Sequence, residues 1–115
     1  MTVTFTPKQF DRFRRSALHN GVARGTIRCY DGPMCFLGHA YNGKKGRKPE
    51  ANADTRIVRK ALGDYTTNSW AISDRFVRII RRAEGPPSAR ILTTTVDIEK
   101  WIDHLRNEGV FEVSE

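Results

Sequence analysis

A chain of 115 residues has room for one domain, and a core of that size buries about two-thirds of the extended-chain surface. Twenty Lys and Arg against 13 Asp and Glu give a formal net charge of +7, which excludes an acidic disordered solvator and points to a polyanionic partner. No run of 18 apolar residues is present, the start at Met1 to Pro7 lacks the basic and apolar regions of a secretory signal, and two cysteines are too few to staple a secreted scaffold. The expectation is a cytoplasmic chain with both thiols free and no membrane partner.

Thr6-Pro7 opens a helix over about 7–20, with Thr as the cap and Pro giving up only an N–H that has no helical partner. Phe10, Phe13, Ala17 and Leu18 share its inner face, and Gly21 stands where a left-handed cap would end it. Thr26 to Tyr30 is rich in β-formers and meets a turn at Asp31-Gly32-Pro33. Met34 to Leu37 is then either a returning strand or the first turn of a short helix to Tyr41, ended by Asn42-Gly43. Residues 43–52 hold no large apolar side chain and read as an exposed, mobile basic loop.

A second helix is expected over 53–62, with Ile57, Val58, Ala61 and Leu62 inward, and a third over 74–83 after Ser73, with Phe76, Val77, Ile80 and Ala83 inward. Arg90 to Thr93 is a short extended segment. Thr94 or Thr95 caps a fourth helix over 96–108, where Ile98, Trp101, Ile102 and Leu105 form the cleanest apolar stripe of the chain. Gly109 follows as the residue after its cap, with Val110 or Phe111 to make the accompanying apolar contact. The fold class expected is α+β: a mainly helical single domain of about four helices, with a small β-hairpin between helices one and two.

Charge is unevenly placed. Residues 96–115 carry a net −4, so residues 1–95 carry +11. At 100° per residue, Lys8, Arg12, Arg15 and His19 form a stripe opposite the Phe10/Phe13 face of helix one. Arg56, Arg59 and Lys60 lie opposite the apolar face of helix two, and Arg75, Arg78, Arg81 and Arg82 opposite that of helix three. Lys44, Lys45, Arg47 and Lys48 stand in the loop. Fourteen of the 20 basic residues are Arg, the better bidentate partner for phosphate. Any amphipathic helix needs a polar outer face, but three such stripes and a basic loop together point to nucleic acid or a nucleoprotein complex.

Other motifs are slighter. The spacing from Gly63 to Ser73 is too long for a helix-turn-helix. Lys44-Lys45-Gly46-Arg47-Lys48-Pro49 has part of the pattern of a minor-groove AT-hook, but Lys48 interrupts its core, and the stretch reads first as a solvated basic loop. Cys35 and His39, four apart, would share a helical face as a thiol enzyme requires, but Met34, Phe36 and Leu37 around Cys35 favour a core cysteine. Cys29, Cys35 and His39 have the spacing of part of a zinc site, completed only by His19 or His104; the second close pair of ligands is missing, and no cofactor is expected. Trp70 and Trp101 read as core, and His19 and His104 as surface.

The stretch from Leu18 to Gly25 and on through Asp31-Gly32-Pro33-Met34-Cys35-Phe36-Leu37-Gly38-His39-Ala40 resembles a small domain of unknown function found in actinobacteria and their phages. Asp31-Gly32, Cys35 and Gly38 match its Asp-Gly-x-x-Cys-x-x-Gly centre, while His39 replaces a small residue and Val22 stands where the family has Trp. Trp70 to Asp74 and the helix ending at Ala83 correspond to its later part. The resemblance implies a phage or bacterial cytoplasmic origin and a shared fold, and brings no activity. The leading expectation is a non-enzymatic binding protein that contacts nucleic acid through Arg-rich faces. The alternative is a phage-type regulator, an inhibitor or host-takeover factor, that docks on an acidic surface of a host protein. A Cys35/His39 enzyme is the distant third.

Overall fold

The computed structural model describes residues 3–24, 32–49, 82 and 91–114. Strand β1 (Val3–Phe5) leads directly into helix α1 (Pro7–Asn20). Thr6 caps α1 as its sequence requires: the Thr6 hydroxyl accepts from the Gln9 N–H at 3.2 Å, and the Gln9 side chain accepts from the Thr6 N–H at 2.9 Å. This reciprocal pair satisfies two backbone donors and sets where the helix begins. Gly21 follows α1 with φ +82°, but its ψ of 171° is extended and not left-handed helical. The chain therefore leaves the helix straight into β2 (Val22–Ala23) instead of curling back.

After α1 the chain enters a long-range pairing. Val22 and Ala23 run antiparallel to Leu92 and Ile91 of β3 (Ile91–Leu92), and Val22 also forms a single parallel bridge with Met34. The candidate strand over 26–30 lies outside the described residues. Of the two alternatives for 34–37, the helical one holds, since α2 spans Phe36–Lys45.

Helix α2 does not stop at Asn42-Gly43 but runs two residues further, to Lys45, and ends at Gly46 in the left-handed conformation. The expected loop over 43–52 is shortened accordingly: Gly43 to Lys45 are helical, Gly46 to Lys48 are exposed, and Pro49 is buried. Gly43 lies at the α1–α2 crossing, where a Cβ would sit 2.9 Å from the Gln9 carbonyl oxygen and 3.0 Å from the Phe13 Cβ. Its missing side chain serves close approach of two helices, not termination.

Helix α3 (Thr95–Asn107) agrees with the expected fourth helix. Thr94 caps it through the Asp97 N–H at 3.2 Å. At its far end Val110 N–H donates to Leu105 C=O at 3.0 Å and Gly109 N–H to Arg106 C=O at 3.1 Å, with Gly109 at φ +78°. This is a Schellman cap, and the apolar contact it favours joins two buried residues, Val110 and Leu105. The chain then enters β4 (Phe111–Val113), which pairs parallel with β1 in the register Val3↔Phe111. Neither terminal strand is expected from the sequence, because each is only three residues long.

The core lies where α1, α2, α3 and the β1–β4 pair meet. Its centre is Phe13, whose ring lies 5.0 Å from Phe5, 5.3 Å from Phe111, 5.6 Å from Phe36 and 5.9 Å from Trp101. The described part of the molecule is an α+β globule with three helices and short strands. The helices expected over 53–62 and 74–83, Trp70, and the helix-turn-helix question fall outside the described residues, apart from the helical and exposed Arg82. Among the described residues no helix is long and apolar enough to cross a membrane.

Candidate anion-binding groove

Helix α1 packs along α2, and the outer edge of this contact forms an open groove of about 340 Å³ lined by Arg12, Arg15, Ser16, His19 and Asn20 of α1, Asn42 of α2 and Lys48 just beyond it. Two of the basic features expected from sequence, the α1 stripe and the basic segment after α2, are thus brought to one place. The reason is the α1–α2 crossing at Gly43, which sets the end of α2 beside the middle of α1.

The groove has a fixed floor. His39 is fully buried, with Nδ1 2.8 Å from the Ser16 hydroxyl and Nε2 2.7 Å from the Gly21 carbonyl oxygen. A carbonyl can only accept, so Nε2 carries the proton and donates, and Nδ1 accepts from Ser16. Asn42 Nδ2 donates to the Ser16 hydroxyl at 3.2 Å, and Asn20 Nδ2 to the Ser16 carbonyl at 3.0 Å. Burial pushes the His39 pKa from its ordinary 6.5 down to about 4; the Gly21 and Met34 backbone pulls it partly back up, and nearby Lys48 lowers it.

That shift has a direction for stability. A proton lost on folding makes stability full above pH 6.5 and decreasing as pH falls from 6.5 towards 4, because the unfolded chain binds the proton the folded chain refuses. Taking the chain from pH 7 to pH 5 is expected to remove about 2 kcal/mol of unfolding free energy. Urea titrations at the two pH values measure it. The same loss in His39→Gln would assign the effect to other groups.

The cations differ in how they are held. Arg12 is half-buried; its Nε and Nη2 donate to the Gly43 carbonyl at 3.0 and 2.8 Å, closing the end of α2. Its guanidinium is therefore a fixed charge at the groove wall. Arg15 is exposed and pairs with Asp11 at 2.6 Å one turn earlier, an arrangement that solvent screens. Lys8 and Lys45 are exposed and do not line the groove, and Arg47 lies over the Tyr41 ring at 5.8 Å. Lys44 is half-buried: its ammonium donates to the Thr4 carbonyl and lies over Phe5, and desolvation lowers its pKa. Arg82 is exposed, while Arg56, Arg59, Lys60, Arg75 and Arg78 lie outside the described residues.

The acidic C-terminal helix α3 packs inward through its apolar stripe, Ile98, Trp101, Ile102 and Leu105. Arg14 pairs with Glu99 at 2.5 Å, while Asp97, Asp103, Glu108 and Glu112 stay exposed. Among the described residues the acidic segment neutralises Arg14 and leaves the groove cations alone.

Cys35 is buried, as its apolar flanks predict, and the ring of His39 is taken up on both sides by Ser16 and Gly21, so it is not a base for the thiol. The same two bonds leave His39 no lone pair for zinc, and Cys29 lies outside the described residues. Among the described residues no three His, Cys, Asp or Glu side chains are grouped as metal ligands. His19 and His104 are exposed and Trp101 is core, as expected. Ser16, Asn20 and Asn42 are the lining residues that sequence reasoning passed over. The signal was present: Ser16 interrupts the apolar face between Phe13 and Ala17, and His39 interrupts Phe36 to Ala40, so each needs a buried polar partner.

No family model matches the chain, and no curated protein or solved structure is similar to it.

Proposed function

We propose that this chain binds nucleic acid, alone or within a nucleoprotein complex, through a basic surface centred on the α1–α2 groove, without carrying out a chemical step. The observation that supports this is the gathering of Arg12, Arg15, His19 and Lys48 around one open groove. Lys8, Lys45, Arg47 and Arg82 supply further exposed charge. Arg56, Arg59, Lys60, Arg75 and Arg78 would extend the surface if their helices form as the sequence suggests. The four exposed carboxylates of Asp97, Asp103, Glu108 and Glu112 steer the backbone of a polyanion away from that side.

Titration of a labelled single-stranded or duplex oligonucleotide at increasing salt tests the reading. With three phosphate contacts on duplex, affinity is expected to fall roughly 40-fold between 50 and 200 mM salt. The double variant Arg15→Ala/Lys48→Ala should weaken binding at all sequences and flatten the salt slope by about two contacts. No binding of either oligonucleotide at low salt would overturn the proposal.

A further inference from the structure

We infer that the groove is a seat for one phosphomonoester at the end of a nucleic-acid strand; this rests on the nucleic-acid reading above and narrows it. Size is the first argument. At about 340 Å³ the open groove falls within the range of ligand sites, about 300 to 1,000 Å³, and has room for one nucleotide-sized group. Charge is the second. Three cationic side chains, Arg12, Arg15 and Lys48, with the imidazole of His19, line that space. An internal phosphodiester brings one negative charge, whereas a phosphomonoester brings about −1.5 to −2 and three acceptor oxygens.

Preorganisation is the third argument. Arg12 is held in place by the Gly43 carbonyl, and its Nη1 edge has no partner among the described residues. Asn20 and Asn42 both donate to Ser16, so this part of the lining is ordered before any ligand arrives. Arg15 is the adjustable member. It exchanges its solvent-exposed pairing with Asp11 for the phosphate, and Asp11 thereby acts as a competitor at the rim.

The test compares one oligonucleotide as its 5′-phosphate, its 3′-phosphate and its 5′,3′-dihydroxyl form, with a nucleoside monophosphate as competitor, by fluorescence anisotropy at fixed salt. A terminally phosphorylated form is expected to bind about tenfold more tightly than the dihydroxyl form. Arg15→Ala/Lys48→Ala should abolish that preference, and Asp11→Asn should increase it, a gain that loss of structure cannot imitate. Displacement by the monophosphate at concentrations matching the oligonucleotide would assign the seat to a free nucleotide and overturn the strand-end inference. Equal binding of all three forms would overturn it as well while leaving the nucleic-acid reading standing, and no binding of any form would overturn both.

Discussion

Phe13→Ala is expected to lower the unfolding free energy by about 3–5 kcal/mol, the largest effect of any single truncation discussed. Phe13 is fully buried and its ring is within 6.2 Å, centroid to centroid, of Phe5, Phe10, Phe36, Trp101 and Phe111. Those five rings come from β1, α1, α2, α3 and β4, so the cavity would open where every described layer meets. Removing the ring forfeits its transfer free energy, and the surrounding rigid aromatics are poor at closing the space. Domains of ordinary stability have only 5–15 kcal/mol to lose. Urea unfolding followed by Trp101 fluorescence measures the change, and a loss under about 1 kcal/mol would mean that Phe13 is not the centre of this core.

The second large effect is at Gly43. A valine there is expected to destabilise by about 3 kcal/mol or more, and alanine by about 1–2. Alanine gains about 1 kcal/mol in helix propensity over glycine, but its methyl would lie 2.9 Å from the Gln9 carbonyl oxygen, a backbone atom that cannot rotate away. The helices must then separate, which loosens the Arg12–Gly43 hydrogen bonds and the groove together. Gly43→Ala should therefore weaken oligonucleotide binding along with stability. A variant more stable than the parent would show that the crossing distance is not set by this contact.

These two positions also show what a one-dimensional reading can and cannot see. Phe13 is identifiable from sequence as a core residue, because it repeats with Phe10 and Ala17 at helical spacing on a helix whose start is written in Thr6-Pro7. Gly43 looks like a terminator when only local propensity is considered. Its role in close packing appears only when α1 is laid across it. The short strands fail for a related reason: three residues of β1 and three of β4 have too little alternation to be recognised. Their pairing is between the two ends of the described chain, which no local pattern encodes. At Gly21 an extended ψ carries Val22 to a partner some 70 residues away, a pairing that no local signal announces.

The candidate groove divides the same way. Arg12, Arg15 and His19 are recognisable as one stripe from their spacing, and Lys48 as part of a basic segment. The lining amides and Ser16 are not, because a polar residue on an apolar face has meaning only through its partner, here His39 from the next helix. Lys44, equally basic in sequence, turns to the Thr4 carbonyl instead.

By itself the sequence determined the extents of α1 and α3, the N-terminal cap of α1, the C-terminal cap of α3, the apolar stripe of α3 and the excess of positive charge outside the C-terminal segment, since helix periodicity, capping and charge are local properties. The tertiary structure alone decided which cations stand together, which are spent on backbone carbonyls, and on which side the carboxylates of α3 face solvent. Those outcomes depend on how closely two helices can approach and on which buried polar groups find partners, and both are set by contacts between residues far apart in the chain.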